Sequence, residues 1–219
     1  GNLAHVLLLL LLGAVNGFVL SGDLFSMFVF VELLGITTYT LTAYKVGEED
    51  AAPAAFNFAT LSTLGAVLFL AGVAIAYGIL ATPNLAEAGL RAADPVVGGS
   101  ALVVAAALMT AGLSPKTGLA PFHPAIADAH TAAMAPHAGL FGALTLPVGL
   151  YGVARLHSTV TVQLAEAGQR LSDLLLVVAL ATAVVGGVMA LVQRHVKRIL
   201  AFSSVSHVGI AAVGVALGS

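Results

Sequence analysis

With 219 residues, 59% hydrophobic and only 8% charged, and a mean hydropathy of +1.05, the chain is far too poor in charge for a water-soluble domain, where about a quarter of residues carry one. A formal net charge of −2, with Lys and Arg nowhere clustered along a face, excludes a nucleic-acid-binding surface. The absence of cysteine removes disulfides and the thiolate ligation of zinc and iron–sulfur clusters. Apolar runs longer than about 18 residues mean helices rather than a membrane barrel, so the expected class is an all-α polytopic membrane protein with about seven transmembrane helices.

The first helix is expected over residues 3–21. It has neither the basic flank nor the cleavage site of a signal peptide and reads as a true span, in an excerpt of a longer protein. Gly13 and Gly17 give it a small-residue spacing that allows close helix contact, and Asn16 is its one strong polar group. The turn at 21–23 is short enough to make the next helix an antiparallel neighbour, with Asp23 as its cap. That second helix, within 22–45, carries Glu32 about 13 Å from its start, close to mid-bilayer. A carboxylate at that depth costs about 2.5–3.5 kcal/mol and points to a function with a partner; a protonated Glu32 bonded to a threonine is the plainer alternative.

The loop 45–53 is solvated, and its acids Glu48, Glu49 and Asp50 read as water-facing residues at a helix N-terminus, or as a proton-collecting antenna. A third helix is expected over 53–80. Its Asn57, Thr60, Ser62 and Thr63 either line a polar path or bond back to helix carbonyls, the commoner outcome. In the loop 81–99, residues 85–92 form a short interfacial helix with Glu87 and Arg91 one turn apart. The fourth helix, 100–120, carries Pro115, which removes a donor, so the helix should break at Pro115–Lys116. Broken backbone at membrane depth is tolerated only inside protein or beside a wet cavity. Lys116 lies at that break; a lysine snorkelling to the interface is the alternative.

Residues 121–132, PFHPAIADAHTA, are polar and proline-rich and read as a re-entrant or interfacial connection. His123, Asp128 and His130 there lack the rigid spacing of a metal site, and no cofactor is assigned. Further helices follow at 133–156, with His137 at its start and Pro147 inside, at 171–193 and at 197–217. Lys45, Arg194, Lys197 and Arg198 on one side against Arg91, Arg155 and Arg170 on the other places the Lys45 and Lys197 loops in the cytoplasm.

Four stretches then match a known family in order. GDLFSMFVFVELLGITTYTL at 22–41 resembles the Glu-bearing helix of the antiporter-like proton-pumping subunits shared by respiratory complex I, membrane-bound hydrogenases and Mrp-type multisubunit Na+/H+ antiporters. KTGLAPFHPAIADAH at 116–130 is similar to that family's broken helix, and VGLYGVAR at 148–155 and HVKRILAFSSVSHVG at 195–209 resemble its later signatures. The opening Gly-Asp-Leu-Phe resembles Mrp D-type or hydrogenase-type members more than the long complex I subunit. The resemblance implies two inverted five-helix repeats, 1–156 forming the first and 157–219 the truncated start of the second. It implies that Glu32 is the essential glutamate, Lys116 the lysine at the break and Lys197 the positive start of the seventh helix. Two positions depart from the pattern: Pro147 replaces a lysine that bridges one site to the next, and Ala125 a tryptophan.

If Glu32 and Lys116 meet, an attraction of about 4 kcal/mol at ~4 Å and an effective dielectric of 20 is opposed by desolvation, so the pair is close to balance. A pair that opens and closes releases and recaptures a proton. His137, Thr145 with water, or His207 would replace the missing bridging lysine as receiver. The implied function is a proton-translocating, cation/H+ antiporter-like subunit moving H+, alone or in exchange for Na+. Its setting is the lipid bilayer of a prokaryotic inner membrane, beside other membrane subunits of an antiporter, hydrogenase or complex I-like assembly, with no nucleic acid involved. The alternative is a non-transporting structural subunit, which Pro147 favours. Redox chemistry would belong to partner subunits, since the chain has no cysteine and no dinucleotide-type glycine fingerprint after a strand.

Overall fold

The computed structural model describes residues 2–44, 51–94, 97 and 99–218; Lys45 of the sidedness count, the acidic run Glu48, Glu49 and Asp50, and Pro95 lie outside the described residues. Helix α1 (Asn2–Leu20) turns sharply into α2 (Leu24–Thr42), and Asp23 caps α2, its Oδ1 accepting the Ser26 N–H at 2.7 Å. Gly17 lets α1 approach the Phe30 ring, whereas nothing comes close to Gly13. Helix α3 (Ala51–Leu80) leads to the expected short helix, α4 (Leu85–Ala92), capped by Asn84. Within α4, Arg91 pairs with Glu87 at 2.5 Å. The Thr82 hydroxyl, and then Arg91, hold the Glu87 carboxyl below the usual carboxylate range. The turns before α2 and α4 are tied together: Leu24 N–H donates to the Pro83 carbonyl (2.9 Å) and Leu85 N–H to the Gly22 carbonyl (3.0 Å). Arg155 donates to the Ser21 carbonyl at 2.5 Å from the other side. These bonds set the depth at which α2, and with it Glu32, enters the bundle.

Helix α5 (Ser100–Thr117) lies tight against α3 because glycines face one another. A Cβ on Gly112 would stand 2.5 Å from the Phe69 nitrogen and 2.6 Å from the Gly65 carbonyl oxygen, both backbone atoms with nowhere to go. Gly65 in turn leaves room for the Pro115 ring, since a Cβ there would be 2.9 Å from Pro115 Cγ. Pro115 is thereby accommodated inside the helix, and the break expected at Pro115–Lys116 comes later, at Gly118, whose φ of +74° suits glycine. Gly112→Ala should therefore push α3 and α5 apart and lower stability by about 1–3 kcal/mol. Thermal unfolding of the purified subunit would read this, and an unchanged melting temperature would refute the backbone-contact argument.

Past the break the chain forms α6 (His123–Ala132), with Pro124 in its first turn, where no donor is lost. The stretch expected as a re-entrant or interfacial connection is thus largely helical. Ile126, Ala129 and His130 are buried against the bundle, while the polar side stays partly exposed: Asp128 pairs with Arg198 at 3.2 Å with both side chains 39% exposed, and the Thr131 hydroxyl donates to the Ala127 carbonyl at 2.7 Å. Helix α7 (Ala135–Leu140), a π-helical turn (Phe141–Thr145) and α8 (Leu146–Thr159) run on from there. The wider turn comes directly before Pro147, whose missing N–H and ring disturb the preceding hydrogen bonds. A 3-10 turn (Thr161–Leu164) and a positive φ of 49° at Ala165 lead into α9 (Ala165–Val192) and α10 (Val196–Leu217).

Six segments among the described residues are long and apolar enough to cross a membrane. One of them, Ala135–Val192, has 58 residues, well over twice the roughly 20 that a crossing needs. The turn at 161–164 divides it into two crossings. With Leu9 and Leu191 exposed on the outside, the chain is an all-α polytopic membrane protein.

Candidate functional site

Lys116 is the most deeply buried charge found by the sequence argument, 3% exposed in the last turn of α5. Three features hold it there. The carboxyl end of α5 offers the negative end of its dipole, which favours a cation. Gly35 on α2, having no Cβ, leaves the space in which the Lys116 amine lies. Ser62 on α3, 1% exposed, accepts a hydrogen bond from Lys116 Nζ on its Oγ. Gly149 of α8 backs the break, where a Cβ would stand 3.0 Å from the Thr117 nitrogen.

Glu32 is half-buried on α2, about one turn before Gly35, against which the Lys116 amine lies. Glu32 and Lys116 are not in direct ion-pair contact: Ser62, not Glu32, is bonded to the amine. The pairing at ~4 Å assumed from sequence is thus replaced by a three-residue arrangement, because the space opened by Gly35 leads the amine to the serine first.

The other candidates lie elsewhere. His137 is buried edge-on to Tyr44, with ring centroids 5.9 Å apart, at the far end of α2 from Asp23; its Nδ1 has no hydrogen-bond partner. Thr145 is buried in the π-helical turn and donates to the Phe141 carbonyl at 2.6 Å. His207 is on an exposed face of α10, its Nδ1 2.8 Å from the Ser203 carbonyl oxygen. Lys197 donates to the Ala133 carbonyl at 2.9 Å, capping the carboxyl end of α6 from the start of α10. His123, Asp128 and His130 diverge, to Phe202, Arg198 and Phe141 respectively.

Two buried residues, one at the site and one outside it, were not assigned by the sequence argument. Ser62 shares a helix face with Gly65 and Gly72, a stripe of small residues that marks the side of α3 facing α5. Read together, those spacings separate Ser62 from Thr60, whose hydroxyl does bond back to its own helix, at 2.9 Å from the Phe56 carbonyl. His130 is 5% exposed, and its ring and the Ser204 hydroxyl both face Gly142 of the π-helical turn. Its alternation with small alanines gave no periodic signal.

The chain is similar to several known proteins. Residues 21–219 match the family described as NADH:quinone oxidoreductase/Mrp antiporter, TM. The chain belongs to that family. Among its antiporter-like relatives, NADH-quinone oxidoreductase subunit N of Halorhodospira halophila (strain DSM 244 / SL1) is 32% identical over 201 residues, 90% of this chain and 40% of that protein. A chain of the membrane-bound sulfane sulfur reductase, an archaeal respiratory membrane complex, superposes with a TM-score of 0.90 at 35% identity, over 96% of this chain and 42% of that one. A chain of the Mrp complex from Dietzia sp. DQ12-45-1b gives 0.85 at 30% identity, over 96% and 39%. The antiporter-family chain thus spans about two fifths of the length of the relatives it matches. These relatives are subunits of multisubunit membrane complexes, and the family places this chain in a membrane as an integral protein.

Proposed function

We propose that this chain is the proton-handling part of an antiporter-like subunit, in which Lys116 and Glu32 exchange a proton across Ser62. The observation that carries the reading is a lysine 3% exposed at an interrupted helix, bonded to a serine hydroxyl and lying against a glycine one turn from a carboxylate. A hydroxyl both donates and accepts, so Ser62 can stand between an ammonium and a carboxylate and pass a proton through reorientation, alone or with a water. Desolvation disfavours the charged lysine and the field of Glu32 favours it, and a small movement of α2 or of the break shifts that balance. The carried ion is H+, because an ammonium at the site repels a second cation such as Na+.

Residues 1–156 form the first repeat of this unit and 157–219 open the second, in a prokaryotic inner membrane beside other membrane subunits. The turn between α9 and α10, with Arg194, Lys197 and Arg198, faces the cytoplasm by the positive-inside rule. Lys197 acts at a distance, by holding the end of α6. His137, Thr145 and His207 remain candidates for onward transfer; among them His207 has the exposed face that a following helix could meet.

Ser62→Ala in the full-length subunit, reconstituted with its partners, is expected to slow pH-gradient-driven transport about tenfold, the equivalent of one charge-assisted hydrogen bond. Thr60→Ala on the same helix, whose hydroxyl only bonds its own backbone, is the control and should leave the rate unchanged. Equal rates for both variants would remove Ser62 from the path.

A further inference from the structure

A cleft between α5, α9 and the end of α8 takes no part in the proposed relay. It has a volume of about 220 Å3 and is lined mostly by apolar side chains, Ala111, Leu119, Phe122, Leu174 and Leu175 among them, together with His157 and the hydroxyl residues Thr110, Ser114 and Thr161. His157 is 5% exposed, and its Nε2 is buried without a hydrogen-bond partner. An orphaned imidazole nitrogen is costly, and a group from outside the chain would satisfy it. Leu174, 59% exposed, forms the rim, so the cleft opens sideways to whatever surrounds the bundle.

Depth gives the occupant's polarity. His157 follows closely on Arg155, which bonds the Ser21 carbonyl at the turn between α1 and α2, and so lies near the membrane boundary. Leu119 and Phe122 belong to the break, at the level where Lys116 meets Gly35 in the middle of α2. The unpaired polar atom is therefore at the shallow end, and the apolar wall runs inward from it. An ester-linked acyl chain has that same order of groups, with its carbonyl at the boundary and its methylenes toward the midplane.

We propose that this cleft binds one acyl chain of a membrane phospholipid, its ester carbonyl accepting a hydrogen bond from His157 Nε2–H. An apolar cavity of about 150 Å3 already takes up benzene, and this larger one accommodates a stretch of chain. The chain packs along Ala111 and Leu175 and rests on Leu119 and Phe122, so that lipid forms one wall of the helix break. This holds whether or not Glu32 and Lys116 relay protons.

The test uses the full-length subunit in its complex, in vesicles of phosphatidylcholine carrying a photoactivatable diazirine on the acyl chain, with adducts mapped by mass spectrometry. Adducts should concentrate on residues 107–114 and 171–178, well above those on the exposed Leu9 and Leu12 of α1. His157→Leu should reduce them about fivefold, the loss of one buried hydrogen bond, whereas His157→Gln, which keeps an N–H donor, should retain them. Ala111→Trp should fill the cleft and abolish them; if that variant fails to fold, the two His157 variants decide. Adducts no denser than on α1, or equal in His157→Leu and His157→Gln, mean surrounding lipid only and overturn the proposal. So does an absence of adducts on 107–114, which means that protein covers the cleft.

Discussion

Lys116→Met in the full-length, assembled subunit abolishes pH-gradient-driven proton transport while the complex stays folded. Removal of a positioned acid–base group lowers a proton-transfer rate on the order of 10²- to 10⁴-fold, which in a vesicle assay is indistinguishable from no transport. Folding is expected to survive because methionine is close to lysine in length and brings no charge into a site 3% exposed. An ammonium buried without a carboxylate in contact carries a desolvation penalty of several kcal/mol, which methionine does not. The opposing cost is the Ser62 hydroxyl left without its donor, about 1–3 kcal/mol. The two nearly cancel, so melting temperature should move little while transport disappears. Dye-quench measurements on reconstituted vesicles, paired with a thermal melt, separate these outcomes. Transport that persists in the methionine variant would eliminate Lys116 as a relay group.

Glu32→Gln has the second-largest expected effect. Glutamine preserves the volume and hydrogen-bonding capacity of the side chain but cannot take up or release a proton. It also removes the carboxylate that stands about one turn before Gly35. Loss of transport on the order of 10²-fold is expected, with partial recovery in Glu32→Asp, which restores the carboxylate on a shorter stem. Because Lys116 is bonded to Ser62 rather than to Glu32, the amine should stay in place and the assembly should remain intact. If Glu32→Gln instead breaks the assembly, and Glu32→Asp rescues assembly without transport, the residue is a structural counter-charge and the relay reading fails.

Much of the fold is legible before any coordinates. Uninterrupted apolar runs set the number and approximate ends of the crossings, since a bilayer demands about twenty apolar residues per helix. Asp23, Asn84 and the Glu87–Arg91 spacing act within a few residues of themselves, which is why α2 and α4 begin and end where local chemistry says they should. The depth of Glu32 and Lys116 is likewise a matter of counting along helices.

What could not be read locally depends on which faces meet. Pro115 is a breaker by its own chemistry, yet α5 passes through it because Gly65, fifty residues earlier, makes room for its ring. Residues 121–132 are polar and proline-rich, and only packing decides that Ile126, Ala129 and His130 turn inward while Asp128 stays part-exposed beside Arg198 of α10. His137 and His207 are plausible relay groups by type, and only helix rotation sets one against Tyr44 and the other on an exposed face.

The amino-acid sequence by itself determined that this is a membrane-spanning helical protein with one acid and one base within its apolar segments, because hydrophobic length and charge position are properties of single segments. Only the tertiary structure decided that the base reaches Ser62 through the gap left by Gly35, with Glu32 a turn away. The physical reason is that a side chain's partner is chosen by packing between helices, where a missing Cβ on one decides the path of an amine from another.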